Sequence, residues 1–170
     1  MQKTLKRLTG AAFLLYLLIL AYILFFRGRG NVYMRQMPLA EYMTYAVNLV
    51  PFETIRGFWN AFQNDRIQTD IAMLNIFGNI ALFIPFGFFL PAARRLRALW
   101  KCLAVSFFAI LAAEGAQLLF RVGSFDIDDI ILNLLGVLIG YAAFKAAFPV
   151  YKSMKKARSE ERRVGKECRS

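Results

Sequence analysis

The sequence predicts an all-α polytopic membrane protein with four transmembrane helices and short amphipathic helices lying at the interface in one long outer loop. Three observations carry this reading. The 170 residues are 58% hydrophobic and 15% aromatic, more apolar surface than a small soluble domain can bury. The apolar residues collect in four runs close to the ~20 residues that a spanning helix needs. The 22 Lys and Arg, which set a net charge of +11, cluster at the ends of those runs, as topology signals do.

The first run, 8–26, follows Lys3, Lys6 and Arg7 as in a signal peptide. It is longer than a signal's apolar core, and Arg27-Gly28-Arg29-Gly30 stands where a small-residue cleavage pattern would be, so it reads as an uncleaved anchor. The other runs fall at 71–90, 102–120 and 129–148. The turn between the last two is short enough to make them an antiparallel neighbouring pair. The N-terminus, the Pro91–Lys101 loop and the tail after Pro149 hold 15 Lys and Arg, against six in the 27–70 loop and the Arg121–Ile127 turn. That bias puts both termini in the cytoplasm and the 27–70 loop outside. Residues 1–150 form the membrane domain and 151–170 a basic cytoplasmic tail. Within the tail, 162–170 resembles a translated cloning adaptor and is set aside.

Two stretches of the outer loop have helical spacing: Leu39, Tyr42, Met43, Ala46, Val47 and Val50, then Ile55, Phe58, Trp59 and Phe62 after the break at Pro51. They predict two short amphipathic helices, with Phe58, Trp59 and Phe62 at the lipid headgroups. Packing over the mouth of the bundle is an equally good reading, and both can hold.

The chain has no histidine. That excludes His-ligated zinc, Ser-His-Asp triads and Cys-His dyads. Cys102 and Cys168 are expected to be reduced. The cations belong to membrane loops, which argues for contact with anionic membrane lipids and against nucleic acid. No cofactor and no resident metal are expected.

The chemistry therefore rests on polar residues inside apolar runs, which are costly in lipid and must face a protein interior or a wet cavity. Asn75 and Asn79 share a face of the second span, with Gly78 beside them to admit a neighbouring helix. Glu114 and Gln117 lie near the outer end of the third span. Asp126, Asp129 and Asn133 share a face at the start of the fourth, where Ser124 or Asp126 would cap the helix and Asp128 points elsewhere. Arg35, Arg56 and Arg121 are available as partners. Gly136 and Gly140 have the spacing of a close helix contact, within the chain or in a homodimer. The expected ligand-binding set is Asn75, Asn79, Glu114, Gln117, Asp126, Asp129 and Asn133. Interhelical hydrogen bonding alone is the competing explanation for the amides.

In order along the chain, Asn48-Leu49-Val50-Pro51-Phe52-Glu53-Thr54-Ile55, the segment from Asn75 to Gly87, Glu114-Gly115-Ala116-Gln117 and the segment from Phe125 to Gly136 resemble the VanZ-like family, over about Asn48 to Tyr141. The resemblance implies a bacterial plasma-membrane protein associated with resistance to teicoplanin, a glycopeptide antibiotic with a fatty acyl chain. It supplies no mechanism. One expectation is a non-enzymatic envelope factor whose outward polar pocket binds an amphiphile, either a lipoglycopeptide or a lipid-linked cell-wall precursor. A second is an intramembrane enzyme acting on a lipid headgroup, with Glu114 as general acid and Asp129 as base, or with Glu114, Asp126 and Asp129 holding Mg²⁺. A third is a small transporter.

Overall fold

The computed structural model describes residues 2–26, 36–63, 69–94 and 96–167, with side chains for 7–26, 36–63, 73–93 and 96–149. Its elements are α1 (Gln2–Phe26), α2 (Leu39–Ala46), β1 (Val47–Asn48), α3 (Glu53–Gln63), α4 (Thr69–Arg94), α5 (Leu99–Leu119), β2 (Phe125–Asp126) and α6 (Ile127–Glu167). Four helices carry apolar spans: Arg7–Phe26, Met73–Ala93, Leu99–Leu119 and Ile127–Pro149, of 20 to 23 residues. At the helical rise these are about 30–35 Å long, the thickness of a bilayer's hydrocarbon core. Large apolar side chains such as Leu14, Leu15, Leu18, Phe108 and Ile139 point outward, which is costly in water and natural in lipid.

Two boundaries differ from the sequence expectation. The third span begins at Leu99 rather than 102, so Trp100 and Lys101 belong to its first turn instead of the preceding loop. The last helix does not stop near 148. It runs through Pro149 to Glu167, and the segment expected as a separate tail continues it. A proline removes one helical hydrogen bond, and the helix here continues past that loss.

The helix pairings fix the architecture. A Cβ placed on Gly136 would lie 2.2 Å from the Ile80 carbonyl oxygen, one on Gly140 1.9 Å from that of Ile84, and one on Gly87 2.1 Å from that of Val137. The pairings of Ile80 with Gly136, Ile84 with Gly140 and Phe88 with Phe144 advance in the same direction along both helices. Helices α4 and α6 are therefore parallel and touch backbone to backbone. Only hydrogen at the α-carbon permits that approach. Of the two readings of the Gly136/Gly140 spacing, the contact within the chain is the one made here. Gly78, expected to admit a neighbouring helix, has no atom within 4 Å of a built Cβ. Gly87 plays that part instead.

Helix α5 runs antiparallel beside α6, as the short turn between them requires. Helix α1 packs antiparallel on α4, with Phe13 against Phe86 and Phe89 and the Tyr16 hydroxyl donating to the Leu82 carbonyl at 2.6 Å. The buried core joins Phe13, Leu20, Phe83, Phe86, Ile110 and Val137. At one end of the bundle the Tyr141 hydroxyl donates to the Arg97 carbonyl at 2.6 Å, and the Arg97 guanidinium sits 4.5 Å from the centre of the Phe148 ring. Helices α2 and α3 cover the opposite end. Cys102 is a free, buried thiol. Cys168 lies outside the described residues.

The two glycine environments predict opposite outcomes. Gly140→Val should lower stability by about 1–3 kcal/mol, because the obstacle is backbone that cannot rotate away. Gly78→Ala should be neutral or slightly stabilising, since alanine favours the helix by up to about 1 kcal/mol. Unfolding of the purified variants in detergent, followed by circular dichroism, measures both.

Candidate functional site

The site lies at the bundle end under α2 and α3, and it starts with how α5 terminates. Val122 N donates to the Gln117 carbonyl at 3.0 Å and Arg121 N to the Leu118 carbonyl at 3.1 Å, with Arg121 at φ 54. This is a Schellman ending, with arginine at the left-handed position that glycine usually takes. It turns the chain so that Phe125 and Asp126 pair in parallel with Val47 and Asn48. Val47 leaves the helical path to make this pairing, so α2 is shorter than its apolar spacing predicted, and Val50 falls in a turn. The Tyr42 hydroxyl donates to the Gly123 carbonyl at 2.8 Å, and Arg121 Nη1 donates to the Met37 carbonyl at 2.7 Å.

The acids at the start of α6 then divide the work. Asp126 Oδ1 accepts from Asp128 N at 2.9 Å, an N-cap of α6. Its Oδ2 accepts from the Thr54 hydroxyl at 2.5 Å, and Asn48 Nδ2 reaches Thr54 Oγ1 at 3.0 Å. Of the two expected caps, Asp126 takes the role. Ser124 is exposed at the cavity rim.

Asp128 does point away from Asp129 and Asn133, and its target is the outer loop. Its Oδ1 accepts from Phe52 N at 2.6 Å and its Oδ2 from Ile55 N at 3.1 Å, and the side chain is fully buried. Helix α3 begins at Glu53, and Phe52, at φ 66, has no side-chain oxygen with which to cap it. A carboxylate from α6 caps α3 from outside at the two amides that a capping box satisfies. Sequence reasoning missed this role. The available signal was a helix start with no capping residue of its own.

Deeper in the bundle, polar pairs tie the spans together at one level. Asn79 Nδ2 donates to Asp129 Oδ1, joining α4 to α6. Asn133 Nδ2 donates to Glu114 Oε1 at 3.4 Å, joining α6 to α5. Gln117 Nε2 donates to the Leu24 carbonyl at 3.0 Å, joining α5 to α1. Leu24 lies in the last turn of α1, where carbonyls lack helical partners.

These side chains surround a cavity of about 350 Å³ lined by Leu24, Thr54, Phe58, Asn75, Asn79, Glu114, Gln117, Gly123, Ser124, Asp126 and Asp129. Six of the seven expected residues line it. Asn133 does not, although it is buried behind Glu114, and its Oδ1 has no partner among the described residues. Asn75 is half-buried and has no side-chain hydrogen bond among the described residues. Of the three interfacial aromatics, Phe58 turns into the cavity. Trp59 and Phe62 are 62% and 50% exposed, with ring centres 6.1 Å apart. Arg56 is exposed, and Arg35 lies outside the described residues. Among the described residues no three Asp, Glu or Cys side chains come together as a metal ligand set. The Mg²⁺ arrangement of Glu114, Asp126 and Asp129 is therefore not formed.

The trans cap is open to test. Asp128→Ala should cost about 1–2 kcal/mol, mostly within α3. Hydrogen exchange read by mass spectrometry should then quicken about tenfold across 52–62, while the spans keep their protection.

Comparison with known proteins places these features in context. The model of the VanZ/LLP1 family matches residues 13–148, including the anchor helix that carried little resemblance by eye. Protein VanZ of Enterococcus faecium is 27% identical over 135 residues, which cover 79% of this chain and 72% of that protein. No solved structure matches the chain.

Proposed function

The chain belongs to the VanZ/LLP1 family, and from that premise we propose that it is a non-enzymatic factor of the bacterial cell envelope whose polar cavity binds the headgroup of an amphiphile. The orientation follows from the Lys/Arg bias, which directs the end bearing α2 and α3 outward and both termini into the cytoplasm. The ligand is an acylated glycopeptide of the teicoplanin kind or a lipid-linked cell-wall precursor. Both present a polar head and an apolar tail at the outer face of the plasma membrane.

The observation that carries the reading is the cavity with Asn75 in its wall. Its volume falls at the lower end of the ~300–1,000 Å³ typical of ligand pockets. It accommodates a headgroup or one sugar, and the rest of a larger molecule stays outside. Asn79, Gln117, Asp126 and Asn133 all have hydrogen bonds that build the fold. Asn75 makes none among the described residues, so its amide is available to a ligand. The exposed Trp59 and Phe62 offer the acyl part an apolar surface beside the mouth.

Glu114 and Asp129 line the same cavity, the observation that favours the enzymatic alternative, with Glu114 as general acid and Asp129 as base. That alternative predicts a changed lipid profile in expressing cells, read by mass spectrometry.

The deciding experiment is susceptibility of a sensitive Gram-positive host expressing residues 1–160, with membrane levels of the protein matched. Selective protection against teicoplanin over vancomycin is expected. Asn75→Ala should reduce it without lowering the protein's stability, and Glu114→Gln should abolish it. Full protection in both variants would remove the cavity from the mechanism.

A further inference from the structure

The geometry points to α3 as a lid hinged at Phe52, and we propose that it opens toward the lipid so that the ligand reaches the cavity laterally, as an amphiphile dissolved in the outer leaflet. This rests on the reading of the cavity as a headgroup site.

Helix α3 buries none of its side chains, yet it roofs the cavity with Thr54 and Phe58. Such an element belongs to the low-stability part of a fold. The bonds it receives from α6 and its flanking turn fall on its first turn: Phe52 N and Ile55 N to Asp128, and the Thr54 hydroxyl to Asp126. Phe52, a bulky residue in the left-handed region at φ 66, sits at the foot of the helix. That conformation is disfavoured for such a residue and persists only while its surroundings hold it. Release of the Asp128 cap therefore frees both the helix start and the strained residue, which is how a hinge is built.

The surroundings of α3 indicate the direction of opening. Leu49, Val50, Phe52, Trp59 and Phe62 are all half or more exposed. On α4, which α3 packs against, Leu74 and Phe77 are 68% and 59% exposed. The polar cavity is thus bordered by an apolar collar. A water-soluble solute has no use for such a collar, whereas an amphiphile keeps its tail against it as its head moves inward.

The test uses the full chain with Cys102→Ser and Cys168→Ser, reconstituted in phosphatidylglycerol–phosphatidylethanolamine vesicles. Gln117→Cys reports from the cavity wall, and Ser124→Cys, at the exposed rim, is the control. Labelling is followed with a maleimide on a long alkyl chain dissolved in the bilayer and with a charged, water-soluble maleimide. Relative to the rim control, the bilayer-dissolved reagent should label position 117 faster than the aqueous one. Asp128→Ala, which removes two hydrogen bonds to the start of α3, and Thr54→Val, which removes the hydroxyl's bonds to Asp126 and Asn48, should each speed it about tenfold or more. If one variant fails to insert, the other decides. Faster labelling from water, or rates unchanged by release of the cap, overturns the proposal. Labelling reports access alone. A lid that opens in cells without glycopeptide protection leaves this inference standing and removes the proposed ligand, and the converse result separates them the other way.

Discussion

The contact on which the rest depends is the one between α4 and α6 at Gly87, Gly136 and Gly140. In lipid there is no hydrophobic driving force between helices, so association rests on close packing and on polar contacts. Three absent side chains bring two parallel backbones together, and the consequence appears toward the loop end. Asn79 and Asp129 stand within hydrogen-bond reach, and Asn133 faces Glu114 on the antiparallel α5. Wider spacing would leave these groups stranded at a depth where an unpaired amide or carboxyl costs several kcal/mol.

From that layer the structure builds outward in steps of hydrogen bonding. Gln117 ties α5 to the Leu24 carbonyl of α1. Asp126 caps its own helix with one oxygen and holds Thr54 with the other. Asp128 caps a different helix altogether. The three acids at the start of α6 are therefore not one functional cluster. One faces the cavity and α4, one links two elements, and one builds the roof. A cavity assembled this way is a by-product of satisfying buried polar groups. Asn75 is the residue in its wall that makes no side-chain hydrogen bond among the described residues.

Much of this was legible in the sequence. Span number and approximate ends follow from run length, and the site's location follows from the cost of Asn, Glu and Asp in lipid. Helical spacing puts Asn75 with Asn79, Glu114 with Gln117, and Asp126 with Asp129 on shared faces, and the packing of the helices turns those faces to one cavity. What escaped depends on tertiary geometry. Gly78 and Gly87 are equivalent as letters, and only the crossing of α4 with α6 decides which one is needed. Val47 fits a helical stripe until Phe125 offers a strand partner. Asp128 looks misdirected on its own helix, because its partners are backbone amides 73 and 76 residues away, and backbone amides leave no mark in a sequence. The fourth apolar span ends at Pro149, as its composition indicates, while the helix itself continues beyond it.

The division among the acids also bears on how a small membrane protein can combine rigidity with access. The spans are held by backbone contact and by polar pairs in a medium of low dielectric, where breaking a satisfied network is expensive. The roof helix buries no side chain, and the bonds it receives from Asp126 and Asp128 fall on its first turn. Those bonds end on buried carboxylates, but they are few, so releasing them costs less than separating the spans. The stability gradient therefore runs from the glycine contact to α3, and the polar cavity lies where it falls most steeply. The cap and the wall are thus separate: Asp128, which caps the roof helix, faces away from the cavity that Asp129 lines.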